Sequence, residues 1–122
     1  MTAHLVRLVA LCLALVLGAC SAAPVLVPAV AGGVPLVASG TAFDRSTLTV
    51  PANRPLSLVF ENRDGAPHNV SIARAGEGAP LFVGEVFAGP AARVYSVPGL
   101  PAGRYTFRCD VHVEMIGTLV SE

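Results

Sequence analysis

Apolar and polar residues alternate in short runs along most of this chain, with turn residues between the runs. In Gly103-Arg-Tyr-Thr-Phe-Arg-Cys109 the side chains of Tyr105, Phe107 and Cys109 alternate with Thr106 and Arg108, the period-two pattern of a half-buried strand. Leu56 to Glu61 alternates in the same way before the turn residues Asn62-Arg-Asp-Gly65, and His68, Val70 and Ile72 share one face of a further run. Shorter strands are predicted at Leu36 to Thr41, Thr47 to Val50, Leu81 to Phe87 and Val94 to Val97. They are punctuated by Asp44-Arg45-Ser46, Pro51-Ala52-Asn53-Arg54, Ala88-Gly-Pro90 and Pro98-Gly-Leu-Pro-Ala-Gly103. No stretch carries the 3.6-residue period of a long amphipathic helix. About eight short strands in one small domain predict an all-β sandwich.

The strand ending at Cys109 runs straight into Asp110-Val111-His112-Val113-Glu114-Met115, which places a thiol, an imidazole and a thioether at three-residue intervals. Cys109 is on the inward face, and a chain turning out of the strand carries His112 and Met115 back around its sulfur. His68 shares its face with Val70 and Ile72 and points into the same interior. Two imidazoles and one thiolate with a weak axial methionine suit a copper ion that changes oxidation state, since soft sulfur favours Cu(I) and imidazole also suits Cu(II). The predicted metal ligands are therefore His68, Cys109, His112 and Met115. A lone inward cysteine is ordinarily a small buried hydrophobe; here the partners at these spacings decide for the metal. Met115 could instead be a core methionine, and Glu114 could offer an oxygen, although a charged rim residue is more often solvated.

This constellation resembles the cupredoxin family of type 1 blue-copper proteins, and its Cys-x-x-His-x-x-Met spacing looks most like that of the amicyanins, whose ligand loop is shorter than that of plastocyanin or azurin. The resemblance runs from about Leu36 to the C-terminus. It implies a Greek-key order for the sandwich and a role for Asn69, which matches the asparagine that ties the two ligand-bearing segments together in the family. The usual Ser or Thr after the cysteine is Asp110 here, which can still accept a bond from the Asn69 amide or can be an exposed loop carboxylate. The family's usual proline before the second histidine is Val111, whose N–H, which proline lacks, could turn toward the thiolate as in azurin, or else face solvent. Both count as candidate supporting residues around the copper.

The N-terminus changes the picture of where the domain works. Arg7 precedes an uninterrupted apolar run from Leu8 to Leu17, the length of a secretory signal and short of the ~20 residues a membrane span needs. Leu17-Gly18-Ala19-Cys20 then resembles a bacterial lipoprotein cleavage box, with plain cleavage at Ala19 or Ala23 as the alternative. The expected organisation is a signal over residues 1–19, a lipid-anchored tether over residues 20–35 beginning at Cys20, and a copper-binding domain over residues 36–122. Prolines at 24, 28 and 35 favour an extended tether, unless Val25-Leu26-Val27 or Val34 to Val37 docks as part of an edge strand. The expected location is outside the cell membrane, in the periplasm or on the outer face, held by lipid.

Charge excludes more than it suggests. All eight basic residues are arginine, they balance eight acids, and no run of one sign occurs, so nucleic acid binding has no support. With Cys12 in the leader and Cys20 lipidated, Cys109 has no cysteine to pair with, and neither a disulfide nor a dinuclear copper centre is expected. A cysteine nucleophile with His68 or His112 as base would fit poorly with an inward thiol beside a thioether. The remaining readings are a monomeric one-electron carrier between a redox donor and acceptor protein, and a copper-binding protein for storage or delivery. A storage site favours more methionines than Met1 and Met115, so the carrier is preferred. His112 is expected to be the more exposed imidazole, in a docking patch with Ala66, Pro67, Val113 and Ile116.

Overall fold

The computed structural model describes residues 23–122. The leader, Cys20 and the start of the tether lie outside the described residues. The strands are β1 (Val34–Ala38), β2 (Thr47–Val50), β3 (Leu56–Asn62), β4 (Pro67–His68), β5 (Ser71–Arg74), β6 (Pro80–Val83), β7 (Phe87–Ala88), β8 (Ala91–Val97), β9 (Gly103–Arg108) and β10 (Ile116–Ser121). One sheet has the order β1-β3-β8 and the other β2-β10-β9-β5-β6, with β4 and β7 forming a two-stranded ribbon beside them. The all-β sandwich expected from the alternating pattern is present. Among the described residues no helix is long and apolar enough to cross a membrane.

Alternation sets the inner faces. In β9, Tyr105 and Phe107 are buried while Arg104 and Arg108 are exposed, and Cys109 continues the inward set one residue past the strand. Leu36, Leu58, Phe60 and Tyr95 of the first sheet share one core with Leu48, Ile72, Phe107 and Leu119 of the second. Each fully buried apolar side chain of this kind contributes ~1.5–3 kcal/mol. Aromatic rings fasten the two layers near the metal-ligand end: Phe43 packs on Phe107 at 5.2 Å between centroids and edge-on against Phe60 at 6.3 Å, and Phe60 meets Phe87 at 5.7 Å.

Four elements depart from the expected pattern, the first being the run from His68 to Ile72, which is not one strand: β4 ends at His68 and β5 begins at Ser71 in another sheet. The run Leu81 to Phe87 is two strands rather than one, because β6 pairs with β5 and β7 pairs with β4. The chain crosses between them at Gly84, where a Cβ would lie 2.7 Å from the Tyr95 ring and 3.0 Å from the Val70 carbonyl. The alternation does not predict β10, which lies between β9, antiparallel, and β2, parallel. β1 begins at Val34, two residues before the expected start of the domain, and pairs in parallel with β3 as the edge of its sheet, a position that tolerates Pro35. The end of the tether also touches the domain: a Cβ on Gly33 would sit 2.9 Å from Val59, and the turn Gly33 N–H to Val30 carbonyl closes at 2.9 Å beside it. Gly33 thus lies close against Val59, which is buried and has Pro35 and Val94 as its strand partners. By contrast Leu26 is 90% exposed, and no strand forms at Val25 to Val27.

Gly117 is the point where the ligand loop re-enters the sheet, and an added Cβ there would fall on the ring of the fully buried Phe107. Gly117→Ala is expected to destabilise the metal-free protein by about 1–3 kcal/mol, the usual cost of overpacking. Urea denaturation should show a lower midpoint with an unchanged m-value.

Candidate metal centre

The centre lies where β4 and the β9–β10 connection meet. His68 is the second residue of β4, opposite Phe87 of β7, and its ring is fully buried. Cys109 follows β9 directly. The loop from Cys109 to Met115 is closed by its own backbone, with the Cys109 N–H donating to the Met115 carbonyl at 2.9 Å and the Met115 N–H to the His112 carbonyl at 3.0 Å. That double closure is why seven residues suffice to bring His112 back to the sulfur.

The result is a converging donor set. Nδ1 of His68 is 3.8 Å from Sγ of Cys109, Nδ1 of His112 is 3.9 Å from the same sulfur, and the two imidazole centroids are 4.6 Å apart. All three donor atoms lie within 4.8 Å of one another. Bonds of ~2.3 Å to sulfur and ~2.0 Å to nitrogen, as zinc makes, hold such donors about 4 Å apart, so one first-row metal ion fits among them without moving the backbone. The donor chemistry matches as well: Cys109 is a free thiol with no cysteine beside it among the described residues. Met115 is buried in the same core cluster as Cys109.

Around these residues the polar groups are paired. Asn69, fully buried next to His68, donates from Nδ2 to Oδ2 of Asp110 at 2.8 Å and to the Gly84 carbonyl at 3.1 Å, while its Oδ1 accepts the Asp110 N–H at 2.8 Å. Asp110 also lies 3.5 Å from the Arg108 guanidinium. Among the described residues no buried side-chain nitrogen or oxygen lacks a partner. The two imidazoles differ in setting. His68 is enclosed, whereas His112 is partly exposed at a rim that carries Val113 (85% exposed), Ile116 (58%) and Val111 (44%), with Pro67 also exposed. Glu114 is exposed on the same loop. A cavity of about 290 Å³ opens beside this rim, lined by Arg108, Cys109, Asp110, Val113 and Ile116.

One partner of the centre was not singled out from the sequence. Nε2 of His68, the nitrogen turned away from the sulfur, is 2.9 Å from Oδ2 of Asp64. Asp64 belongs to the turn after β3, and its carboxyl is held below the usual carboxylate range by the N–H groups of Thr41 and Gly40, with a smaller contribution from His68. A signal for it existed: metal-bound histidines commonly give their second N–H to a carboxylate, and Asp64 is an acid four residues before His68. Turn composition alone accounts for an aspartate there, which hid it.

Fold and centre together define a class: a β-sandwich with two imidazoles and a thiolate converging at one end. The chain belongs to the family of cupredoxin-like domains, whose model matches residues 8–121. No curated protein matches the chain. Among solved structures, the dithionite-reduced auracyanin of Roseiflexus castenholzii superposes with a TM-score of 0.65 at 15% identity, over 77% of this chain and 99% of that one. Auracyanin A, a "blue" copper protein from Chloroflexus aurantiacus, gives 0.65 at 20% identity over 74% and 98%. Amicyanin from Paracoccus versutus gives 0.60 at 23% identity over 77% and 85%. At these identities the likeness establishes the fold.

Asn69→Ala removes the two hydrogen bonds between the two donor-bearing segments and a third to Gly84, and leaves the Asp110 N–H and the Gly84 carbonyl without their partner. The metal-free variant is expected to lose about 1–3 kcal/mol, the cost of an unsatisfied buried polar group. Chemical denaturation beside the wild type measures it, and an unchanged midpoint would show that the bridge carries no stability.

Proposed function

We propose that this protein is a mononuclear type 1 copper protein that carries single electrons between redox partners outside the cell membrane. The observation that supports this most is the buried convergence of His68, Cys109 and His112. Membership of the cupredoxin-like family and the similarity to auracyanin A, itself a blue copper protein, point the same way. In this reading His68, Cys109 and His112 would hold the ion, with Met115 as a fourth, weaker donor. Copper held there would supply one-electron chemistry, because a thiolate favours Cu(I) and imidazole also suits Cu(II).

The chain's own residues have two tasks. Asn69 and Asp110 fix the spacing of the donor segments, and Phe43, Phe60, Phe87 and Phe107 stiffen the layers behind them. Donors held this firmly need little rearrangement when the charge of the site changes, which favours fast electron transfer. His112 would be the exit, since its ring reaches the rim where Pro67, Val113 and Ile116 present apolar surface to a partner protein. We further propose that Cys20 is lipidated and that residues 20–33 tether the domain to the membrane. Two or more acyl chains would make that anchor stable.

The copper-loaded protein is expected to show an intense visible thiolate-to-copper band that bleaches on reduction and returns on reoxidation. Cys109→Ala should abolish the band. Met115→Leu should keep it and raise the potential, because a weak donor to Cu(II) is lost. A protein that stays colourless and binds only Cu(I) would support storage or delivery instead.

Membrane attachment is checked separately. Cys20→Ser is expected to move the protein from the membrane fraction to the soluble exported fraction with its colour intact. An unmodified Cys20 in the mass spectrum of the wild-type protein would overturn the anchor.

A further inference from the structure

The surroundings of Asp64 are built with more care than a turn aspartate needs. Its Oδ1 accepts the Gly40 N–H at 2.8 Å, and its Oδ2 accepts the Thr41 N–H at 3.1 Å and faces Nε2 of His68 at 2.9 Å. Gly40 and Thr41 are consecutive left-handed residues, with φ of 61° and 59°, so that their N–H groups converge on one anion as in a backbone nest. Thr41 has a Cβ and pays ~1–2 kcal/mol for that conformation. The Asp64 backbone is fixed as well: its N–H donates to Oδ1 of Asn62 at 2.9 Å, and its carbonyl accepts the Gly89 N–H at 2.9 Å. Asn62 is fully buried and donates to the carbonyls of Ala66 and Phe87, both at 2.9 Å, so the turn is tied to the segments around His68.

A neutral imidazole carries one N–H, and its tautomer is set by the partner of the nitrogen that does not bind metal. A carboxylate already saturated with donors can only accept. It therefore keeps the His68 proton on Nε2 and leaves the Nδ1 lone pair facing Cys109.

We propose that Asp64 is a positioning residue of the metal centre, which fixes the tautomer and orientation of His68 through Nε2 and is itself held by the Gly40–Thr41 nest 23 residues upstream. This assigns the β1–β2 turn a part in metal binding although it contributes no ligand. The inference rests on His68 being a ligand, as in the function proposed above, but not on the metal being copper or on electron transfer.

Asp64→Asn tests it at nearly constant shape. Three N–H groups converge on the two carboxylate oxygens, and a carboxamide has one oxygen and one NH2 group. With its NH2 in place of Oδ1 the amide faces the Gly40 N–H and weakens the nest; with its NH2 in place of Oδ2 it faces both the Thr41 N–H and Nε2, and drives the proton to Nδ1. Long-range 15N-correlated NMR of the metal-free protein at neutral pH should find His68 as the Nε2–H tautomer in the wild type and shifted toward Nδ1–H in Asp64→Asn. Affinities for Zn(II) and Cu(I), measured by competition with a chromophoric chelator, should fall about 10–100-fold, as for other partners of ligand histidines. Asp44→Asn is the control: Asp44 also secures β1, accepting the Val37 N–H at 2.8 Å, so its loss should lower stability and leave the His68 tautomer unchanged.

An Nδ1–H tautomer in the wild-type metal-free protein would overturn the proposal, and that measurement stands even if Asp64→Asn fails to fold. An unchanged tautomer with affinities within threefold of wild type would overturn it too. A protein without the visible copper band whose His68 still follows Asp64 would sink the electron-carrier reading and leave this inference standing.

Discussion

The centre depends on the pair of hydrogen bonds between Asn69 and Asp110. The donors come from segments 41 residues apart, and without a metal the approach of their lone pairs is held by nothing in the donors themselves. The Asn69 side chain donates to the Asp110 carboxylate and accepts from the Asp110 N–H, which fixes both distance and orientation. Each donor residue is adjacent to one end of this bridge, His68 to Asn69 and Cys109 to Asp110. Holding that geometry before a metal arrives means that binding does not have to order both strands. One bond of the pair has a charged acceptor, the Asp110 carboxylate, a class that contributes about 1.5–3 kcal/mol, and Asn69 is buried at its end while Asp110 is exposed at the other.

The two histidines divide the work of the centre. His68 is enclosed, backed by a carboxylate and placed on a ribbon strand, so its position follows from the packing of β4, β5 and β7. His112 sits on a loop whose shape comes from backbone bonds between Cys109, His112 and Met115, and its chain neighbours Val111 and Val113 are exposed. One imidazole anchors and the other faces outward. That asymmetry suits the electron-carrier role proposed above, in which a metal would be shielded from water and still come within reach of a partner.

Much of this was legible along the chain, and the failures have physical causes. The alternation of Tyr105, Phe107 and Cys109 predicted the inward thiol, because a half-buried strand records its two faces directly. The spacing of Cys109 and His112 was readable because it is local, whereas His68 does not share one strand with Val70 and Ile72: β4 ends at His68, β5 begins at Ser71, and residues 68–73 are all buried. β10 was missed because Gly117 leaves a gap in its pattern where Phe107 fills the space. The break at Gly84 was missed because the need for glycine comes from the Tyr95 ring and the Val70 carbonyl, neither of which is a neighbour in sequence. Asp64 was read only as a turn former. Its partners at Gly40, Thr41 and His68 meet it through the fold.

The boundary between tether and domain follows from the same logic. An apolar linker rich in valine is a poor flexible chain, and here its last residues behave as part of the fold: Val34 and Pro35 extend β1 along β3, while Gly33 lies close against Val59. Val59 points away from the inner face, between Leu58 and Phe60, and is buried. The linker's hydrophobicity is thus used where it meets the sheet. From residue 23 to residue 29 nearly every side chain is exposed and no strand forms. The stretch that can act as a spacer is therefore shorter than its composition suggests, and at ~3.1 Å per residue for an extended chain each residue docked on the sheet shortens the reach accordingly. The segment before the domain is thus fixed along β3 from Val34 onward.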